Sequence, residues 1–257
     1  MKIITWNLAN YDDHPHWDDR LKMIVNEIAK HQPDVLALQE IRYNTDHPST
    51  KESHFNMADQ ILPELQMKNL YKKARVITQP AMYYGKTHWE GITLITNLET
   101  IETGNIFHTL LDISSDQNKR ITQYAVMANQ EITFAIFNTH FSYKELGMKL
   151  NVDETINYMN RFAGYPLMLV GDMNAKPDNE NIHKFALEGY TDIWQKLHPK
   201  ENGFTYKSFK PTKRIDFCWV NDLMIDKVKK IEIIGNSSNE NGIYPSDHFG
   251  LIIEIME

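Results

Sequence analysis

Short apolar runs alternate with polar punctuation from one end of the chain to the other. The runs at 2–6, 35–39, 91–96, 121–127, 132–138, 167–170, 215–220 and 251–255 are rich in β-branched and aromatic residues and bounded by Gly, Asn, Asp or Pro. That is the pattern of strands. Residues 18–31 instead place Leu21, Ile24, Val25, Ile28 and Ala29 at helical spacing, with Pro33 two residues past the end, so an amphipathic helix is predicted there. A second helix is predicted over 153–162, and a short third after Pro177 with Ile182, Phe185, Ala186 and Leu187 on one side. Strands outnumber helices, and the helices fall between strand groups. Two packed sheets with helices on their outer faces are therefore expected, a layered α/β arrangement.

No repeat and no Pro/Gly/Ser-rich linker interrupts this pattern, and the polar stretches 44–54 and 114–119 read as surface excursions. Residues 1–257 are accordingly expected to form a single domain. At that size a domain buries roughly three-quarters of its unfolded surface.

The apolar runs share a second feature, in that six of them terminate in, or open from, acid, amide or imidazole. Trp6 is followed by Asn7, Leu38 by Gln39-Glu40, Phe137 by Asn138-Thr139-His140, and Val170 by Gly171-Asp172-Met173-Asn174. Arg214-Ile215-Asp216 opens one late strand and Ser246-Asp247-His248 the last. Any one of these is a plausible turn, because Asp and Asn form turns readily. Six at the ends of core strands are harder to explain that way, since charged groups are seldom buried unless paired or metal-bound.

If the strand ends converge, they assemble carboxylates, amides and two imidazoles. Oxygen ligands such as Glu40, Asp247 and Asn7 suit a hard cation, Mg²⁺ or Mn²⁺, which prefers phosphate as a partner. Zinc held by His140 and His248 is the alternative. Hydrolysis of a phosphate ester needs charge neutralisation, a base for water and donors for developing charge. His248 is a natural base once a carboxylate fixes its tautomer.

Lys and Arg total 27 against 34 Asp and Glu, a net charge of −7. A histone-like coat for nucleic acid is excluded by that balance. A nucleic-acid enzyme is not, because a bound cation inverts the local sign. The single cysteine, Cys218, lies in an apolar strand and excludes an internal disulfide. With no apolar segment of membrane-spanning length and a strand-like N-terminus in place of a signal peptide, a cytoplasmic protein without membrane insertion is expected. Asn236-Ser237-Ser238 then reads as a polar loop rather than a glycosylation site.

Most of the eleven histidines fall in polar stretches. His14, His16, His31, His47, His54, His183 and His198 are expected to be solvated, with the acids around His14 and His16 serving as helix caps. Arg42 and the stretch Lys207, Lys210, Lys213 and Arg214 are either a cationic rim for an anionic substrate or a solvated loop. Tyr83, Tyr84, Trp89, Phe204, Tyr206 and Phe209 are expected to pack, with base stacking the competing reading.

The ordered set Trp6-Asn7, Leu38-Gln39-Glu40, Glu90-Gly91, Asn138-Thr139-His140, Gly171-Asp172-Met173-Asn174, Arg214-Ile215-Asp216-Phe217 and Ser246-Asp247-His248 resembles the endonuclease/exonuclease/phosphatase superfamily of metal-dependent phosphoesterases. The resemblance runs across nearly the whole chain. It implies a four-layered α/β sandwich, two mixed sheets packed face to face with helices outside, and a site at one edge of the sheets. It also implies that Glu40 is the principal Mg²⁺ ligand, with Asn7 and Asp247 supporting that metal or a second one. His248 resembles a general base or phosphate contact held by Asp216. Asp172 resembles the residue that orients or deprotonates water, and Asn174 a donor to phosphate. His140 resembles a second histidine on the scissile phosphate, with Glu90 as its orienting carboxylate. The implied substrate is a phosphate ester, with nucleic acid, nucleotides, inositol phosphates and phospholipid all candidates. A catalytically idle binding module of the same fold is the reading from another class.

Overall fold

In the computed structural model, which describes residues 1–48, 56–110 and 117–256, the eight apolar runs become strands, and with four more they make two six-stranded sheets among the described residues. In chain order these are β1 (Lys2–Asn7), β2 (Val35–Asn44), β3 (Arg75–Tyr84), β4 (His88–Thr96), β5 (Glu99–Phe107) and β6 (Ile121–Ala128). The remainder are β7 (Thr133–His140), β8 (Leu167–Asp172), β9 (Thr191–Asp192), β10 (Asp216–Val220), β11 (Val228–Ile234) and β12 (Gly250–Ile255). The helices are α1 (Trp17–His31), α2 (Met57–Met67), α3 (Glu145–Met159), α4 (Glu180–Leu187), α5 (Ile193–Leu197) and α6 (Asp222–Ile225). One sheet has the order β11-β12-β1-β2-β4-β3 and the other β5-β6-β7-β8-β10-β9.

Strand alternation sets the layers, because successive side chains leave a strand on opposite faces. Ile3, Val35, Ala37 and Leu94 of the first sheet meet Ala125, Phe134, Ile136, Met168 and Val170 of the second in a shared core. The residues that alternate with these face outward. Ile4, Trp6, Leu36 and Leu38 pack on Ile24, Val25 and Ile28 of α1 and Ile61 and Leu65 of α2. Ala135, Phe137, Leu167 and Leu169 pack on Val152 and Ile156 of α3 and Ile182 and Phe185 of α4. The result is the expected four-layered sandwich of two mixed sheets.

Each sheet contains one parallel pair, β1 with β2 and β7 with β8. Both pairs are crossover units, α1 linking the first and α3 the second. In open α/β sheets the crevice beyond the carboxyl ends of such strands is where ligands bind. Here those ends bring Asn7, the Gln39-Glu40 pair, His140 and Asp172 to one edge of the sandwich. The two sheets are also stitched together just beneath that edge: buried Gln39 donates from Nε2 to Asn138 Oδ1 at 2.7 Å, and Asn138 donates from Nδ2 to the carbonyls of Leu38 and Thr93.

Two expectations need adjusting. The helix predicted over 153–162 begins at Glu145 and closes with a 3-10 turn, Asn160–Phe162. Lys144 supplies no capping side chain there, and Gly147 sits in the first turn, so neither helix signal is present in the sequence. The polar residues expected just beyond the strands are instead their last rungs, Asn7, His140 and Asp172 each closing a strand. The stretches 44–54 and 114–119 lie partly outside the described residues, and His54 lies wholly outside them. Among the described residues, no helix is long and apolar enough to cross a membrane.

Candidate active site

Glu40 reaches the cleft through a bulge. Leu38 pairs with Thr93 and Ile41 with Gly91, so Gln39 and Glu40 together face the single residue Ile92. Glu40 takes the left-handed conformation, φ 54°, as bulged residues do when a side chain is re-aimed. Leu36, Leu38 and Ile41 therefore share one core although a regular strand would split them. Glu40 Oε1 accepts from Asn7 Nδ2 at 3.1 Å, and Oε2 accepts from the Asn10 backbone at 3.1 Å. Burial alone would raise this carboxyl, but His140, the Asn7 amide, His248 and the Asn10 N–H outweigh it and hold it down at about 2.

Asn7 joins this carboxylate to the next. Its Nδ2 also donates to Asp172 Oδ2 at 2.9 Å, while Oδ1 accepts from the Ala9 N–H at 3.0 Å. Asp172 Oδ1 accepts from the Asn174 N–H at 2.8 Å, and Asn174 Nδ2 donates to the Phe141 carbonyl at 2.9 Å. The backbone between them depends on Gly171, whose φ is +133° and whose absent Cβ would stand 2.1 Å from the Thr139 carbonyl oxygen. No other residue fits there.

His248 Nδ1 lies 3.0 Å from Asp216 Oδ2, leaving Nε2 to face Asp172 Oδ2 at 3.7 Å and Asp247 Oδ1 at 3.9 Å. The Ser246-Asp247-His248 segment is held from three sides. Ser246 Oγ donates to the Asn7 carbonyl and accepts from the His248 N–H, and Trp6 Nε1 donates to the His248 carbonyl. The Tyr206 ring leans on the imidazole at 4.7 Å. Burial would lower the His248 pKa, yet Asp216, Asp172 and Asp247 overcome it and raise it. Asp172 is pushed up by burial and by Asp216, against the pull of His248.

His140 and Glu90 are not arranged as expected. Glu90 Oε2 accepts from Arg42 Nη2 at 2.7 Å and from Asn10 Nδ2 at 3.0 Å, while the carboxylate at His140 is Asp172, 3.6 Å from Nε2. Arg120 Nη1 lies 3.1 Å from the same Nε2. The physical reason is register: Glu90 faces Arg42 directly across the β2–β4 ladder, in the other sheet from His140. Burial and Glu40 raise the Glu90 carboxyl, with Arg42 and Arg120 opposing them.

These side chains line a cleft of about 260 Å³ whose walls also carry Asn10, His14, Tyr84, Arg120, Tyr143 and Tyr206. His14, half-buried, is thus a cleft residue as well as a loop residue. Buried Arg20 donates to the carbonyls of Leu8, Ala9, His14 and Pro245, tying the His14 loop to the Asp247 loop, and His14 Nε2 stands 3.8 Å from Asp247. His198 is also held, its Nε2 2.9 Å from the Ile231 carbonyl. Arg214 is no rim cation but is buried against Asp192 at 2.7 Å. Arg42 is buried too, shared among Glu90, Asp12 and Asp13. Lys207, Lys210 and Lys213 are exposed. Of the aromatics, Tyr84 and Tyr206 line the cleft, Trp89 stacks on Tyr43, and Tyr83 and Phe209 are exposed.

The donor set fits a hard divalent cation. Glu40, Asp172, Asp247 and Glu90 crowd one cleft, and two of these carboxyls are raised by burial among neighbouring carboxylates, the condition a cation relieves. Asp172, Asp216 and His248 offer ligand atoms within 4.8 Å of one another. Zinc through His140 fits less well, because its Nε2 already faces a guanidinium.

Asn10, Arg20 and Arg120 carry parts of this site that sequence reasoning missed. Asn10 is recoverable only from its three-residue offset from Asn7. Arg20 lies among helix-surface charges, and Arg120 ends a polar stretch without a motif.

The sequence profile of the Endonuclease/Exonuclease/phosphatase family matches residues 4–248. Nocturnin of Drosophila melanogaster is 24% identical over an alignment of 310 positions that covers 99% of this chain and 46% of that protein. The chain spans between 38% and 65% of the length of the curated relatives it matches. An endonuclease/exonuclease/phosphatase family protein from Leptotrichia buccalis superposes with a TM-score of 0.77 at 21% identity over 100% of both chains. The mannosyl-6-phosphatase of Bacteroides thetaiotaomicron does so with 0.74 at 18% identity, again over 100% of both. The two solved structures share the fold; the match of the family profile over nearly the whole chain carries the conclusion that this protein belongs to the Endonuclease/Exonuclease/phosphatase family of phosphoric ester hydrolases.

Proposed function

We propose that the chain is a Mg²⁺- or Mn²⁺-dependent phosphoesterase that hydrolyses a phosphodiester or phosphomonoester by in-line attack of water, with no covalent enzyme intermediate. The observation that carries this reading is the Asp216–His248–Asp172 array opening into the same cleft as Glu40. Glu40, Asn7 and Asp247 would hold the cation. When bound, it supplies charge neutralisation for the phosphoryl oxygens and acidifies water.

The chain's own groups do the rest. Asp172, raised by burial, is suited to take a proton near neutral pH. Asp216 accepts the His248 Nδ1 proton and fixes the ring so that Nε2 faces the reacting centre. His248, raised by its carboxylates, is then a cationic contact for the phosphoryl group. Asn174 is anchored by Phe141 and lines the same wall, where its amide can donate to phosphate. Positioning and charge supply the acceleration.

The substrate classes left open are a nucleic acid and a small phosphate ester. The small-ester branch leans on the bacterial mannosyl-6-phosphatase, by its name. We place the protein in the cytoplasm as one catalytic unit over residues 1–257, in keeping with its single buried thiol, Cys218.

The test is turnover by the purified full chain, with Mg²⁺ or Mn²⁺, on single- and double-stranded DNA, RNA, an abasic duplex, nucleotides, sugar and inositol phosphates and sphingomyelin. Hydrolysis of at least one, abolished by His248→Ala, is expected. Metal binding without turnover of any ester would instead favour an idle binding module.

A further inference from the structure

A groove of about 450 Å³ opens next to the catalytic cleft. Three chain segments run from one to the other. Asn174 and Tyr206 line the cleft and Asp216 holds His248, while Lys176, Phe204 and Arg214, each two residues away, line the groove. Two residues of extended chain reach about 7 Å at most, so the two hollows are neighbours. The hairpin closed by backbone bonds between Tyr206 and Lys213 stands at both, with Tyr206 on the cleft and Thr212 on the groove.

Arg214 is the buried member of the groove, 3% exposed. Its Nη2 lies 2.7 Å from Asp192, and the guanidinium sits over the Phe217 ring, 4.6 Å from the centroid. Its Nη1 has no hydrogen-bond acceptor among the described residues. A guanidinium stays protonated and can only donate, and a buried donor without an acceptor is costly. The charge around it also runs against that of the whole chain. Residues 200–214 hold Lys200, Lys207, Lys210, Lys213 and Arg214 against Glu201 alone, in a chain of net charge −7. Lys176 and Lys200 are exposed at the groove; Asp178 and Glu201 line it too, the latter 3.4 Å from His198 Nδ1.

Building on the phosphoesterase reading above, we propose that this groove is a subsite for a second phosphate of the substrate, held by Lys176, Lys200 and Arg214, so that the preferred ester carries a phosphate beside the one that is cleaved. The fixed guanidinium gives the subsite a directed donor, and the two lysines give it charge. A nucleic-acid strand and a small bisphosphate share that chemistry.

Steady-state turnover by the Mg²⁺-loaded full chain, on esters matched except for the second phosphate, tests the subsite. One pair is adenosine monophosphate and adenosine bisphosphate, the other a dinucleoside monophosphate and the trinucleoside diphosphate that extends it. In at least one pair the two-phosphate member is expected to have a KM lower by about tenfold or more, the scale of a hydrogen bond to a charged group. An advantage in the first pair identifies a small bisphosphate as sufficient, and one in the second pair alone identifies a strand. Lys176→Gln combined with Lys200→Gln should raise KM for the two-phosphate member about tenfold and for its partner far less. Arg214→Lys, which keeps a cation for Asp192 but not the second guanidinium nitrogen, should shrink the advantage as well.

No KM advantage in either pair, hydrolysis of other esters only, or an equal loss on both members in the lysine variant overturns the subsite while the phosphoesterase reading stands. A full advantage in Arg214→Lys overturns the part given to Arg214. If the parent chain turns over no ester of any kind, the phosphoesterase reading fails and the subsite falls with it.

Discussion

Asp172 and Asp216 face one another directly across the antiparallel β8–β10 ladder, and Asp172 faces His140 in the same way across the parallel β7–β8 ladder. Three neighbouring strands thus present His140, Asp172 and Asp216 as one row, and side chains on a common rung share a face of the sheet. His248 arrives from the other sheet, after which Asp216 bonds Nδ1 and Asp172 stands at Nε2. Strand register alone therefore brings two carboxylates together at the centre of the site, and the imidazole between them stabilises that arrangement.

Removing members of this row should separate chemistry from folding. His248→Ala and Asp172→Ala are expected to lose about 10²–10⁴ in kcat, the range of a positioned acid or base. Circular dichroism and melting curves should show that the fold survives. Asp216→Asn should lose activity too, since the amide no longer compels the Nδ1–H tautomer. Near-parental turnover in either alanine variant would remove these residues from the mechanism.

Gly171 should tolerate no side chain. A Cβ would meet the Thr139 carbonyl oxygen at 2.1 Å, and the backbone sits at φ +133°. Gly171→Ala combines overpacking with an unfavourable backbone, for a destabilisation of about 1–3 kcal/mol or more. Urea denaturation measures it. Because Gly171 stands next to Asp172, activity should fall further than the folded fraction does.

The Gln39–Asn138 bond should matter for the sandwich as a whole. Asn138→Ala would remove the amide that donates to the carbonyls of Leu38 and Thr93 in a buried interface, while Gln39 Nε2 would keep Thr5 Oγ1 and the Ala37 carbonyl. Each buried group left unsatisfied costs about 1–3 kcal/mol. A midpoint in urea close to that of the parent would mean that water replaces the amide.

The interior strands were legible because they are apolar on both faces. Those that escaped, β3, β5, β9 and β11, are the four edges of the two sheets. Edge strands need not alternate, tolerate Pro80 in β3, and carry polar runs such as Glu99–Phe107, much of it exposed. Helix α2 contains Pro63, which reads as a stop. For the site, residues at strand ends could be singled out because burial makes a terminal acid or imidazole conspicuous. His14 and Arg120 could not, because each lies in a polar stretch and reaches the cleft only through tertiary structure: His14 through Arg20, and Arg120 through the rung beside His140.

Metal removal should be reversible. Chelation is expected to abolish hydrolysis, and Mg²⁺ or Mn²⁺ to restore it. A cation that binds only the folded state also raises its melting temperature, by about 2.7 kcal/mol of stabilisation at a hundredfold excess over Kd. Glu40→Gln should lose that shift. Full activity in chelator would rule out a required cation.

Acid stability should depend on His108, which lies outside the catalytic row. Its Nδ1 is 2.8 Å from Glu154 Oε2 and its Nε2 is 2.9 Å from Thr122 Oγ1, with the Phe141 ring edge-on beside it. Burial lowers its pKa, against the opposing effect of Glu154. A histidine lowered in the folded state contributes nothing to pH dependence above its unfolded value of about 6.5. Below that value the unfolded chain takes up a proton that folded His108 refuses, so stability falls until the folded pKa is reached. Glu154 adds to the loss further down. Its burial is outweighed by bonds from His108 and Thr109 that lower its pKa, so its contribution disappears as pH falls through the carboxylate range. His108→Gln should therefore flatten the melting temperature against pH just below 6.5 and leave the steeper fall at lower pH. An unchanged slope in that upper window would assign the proton uptake to another histidine.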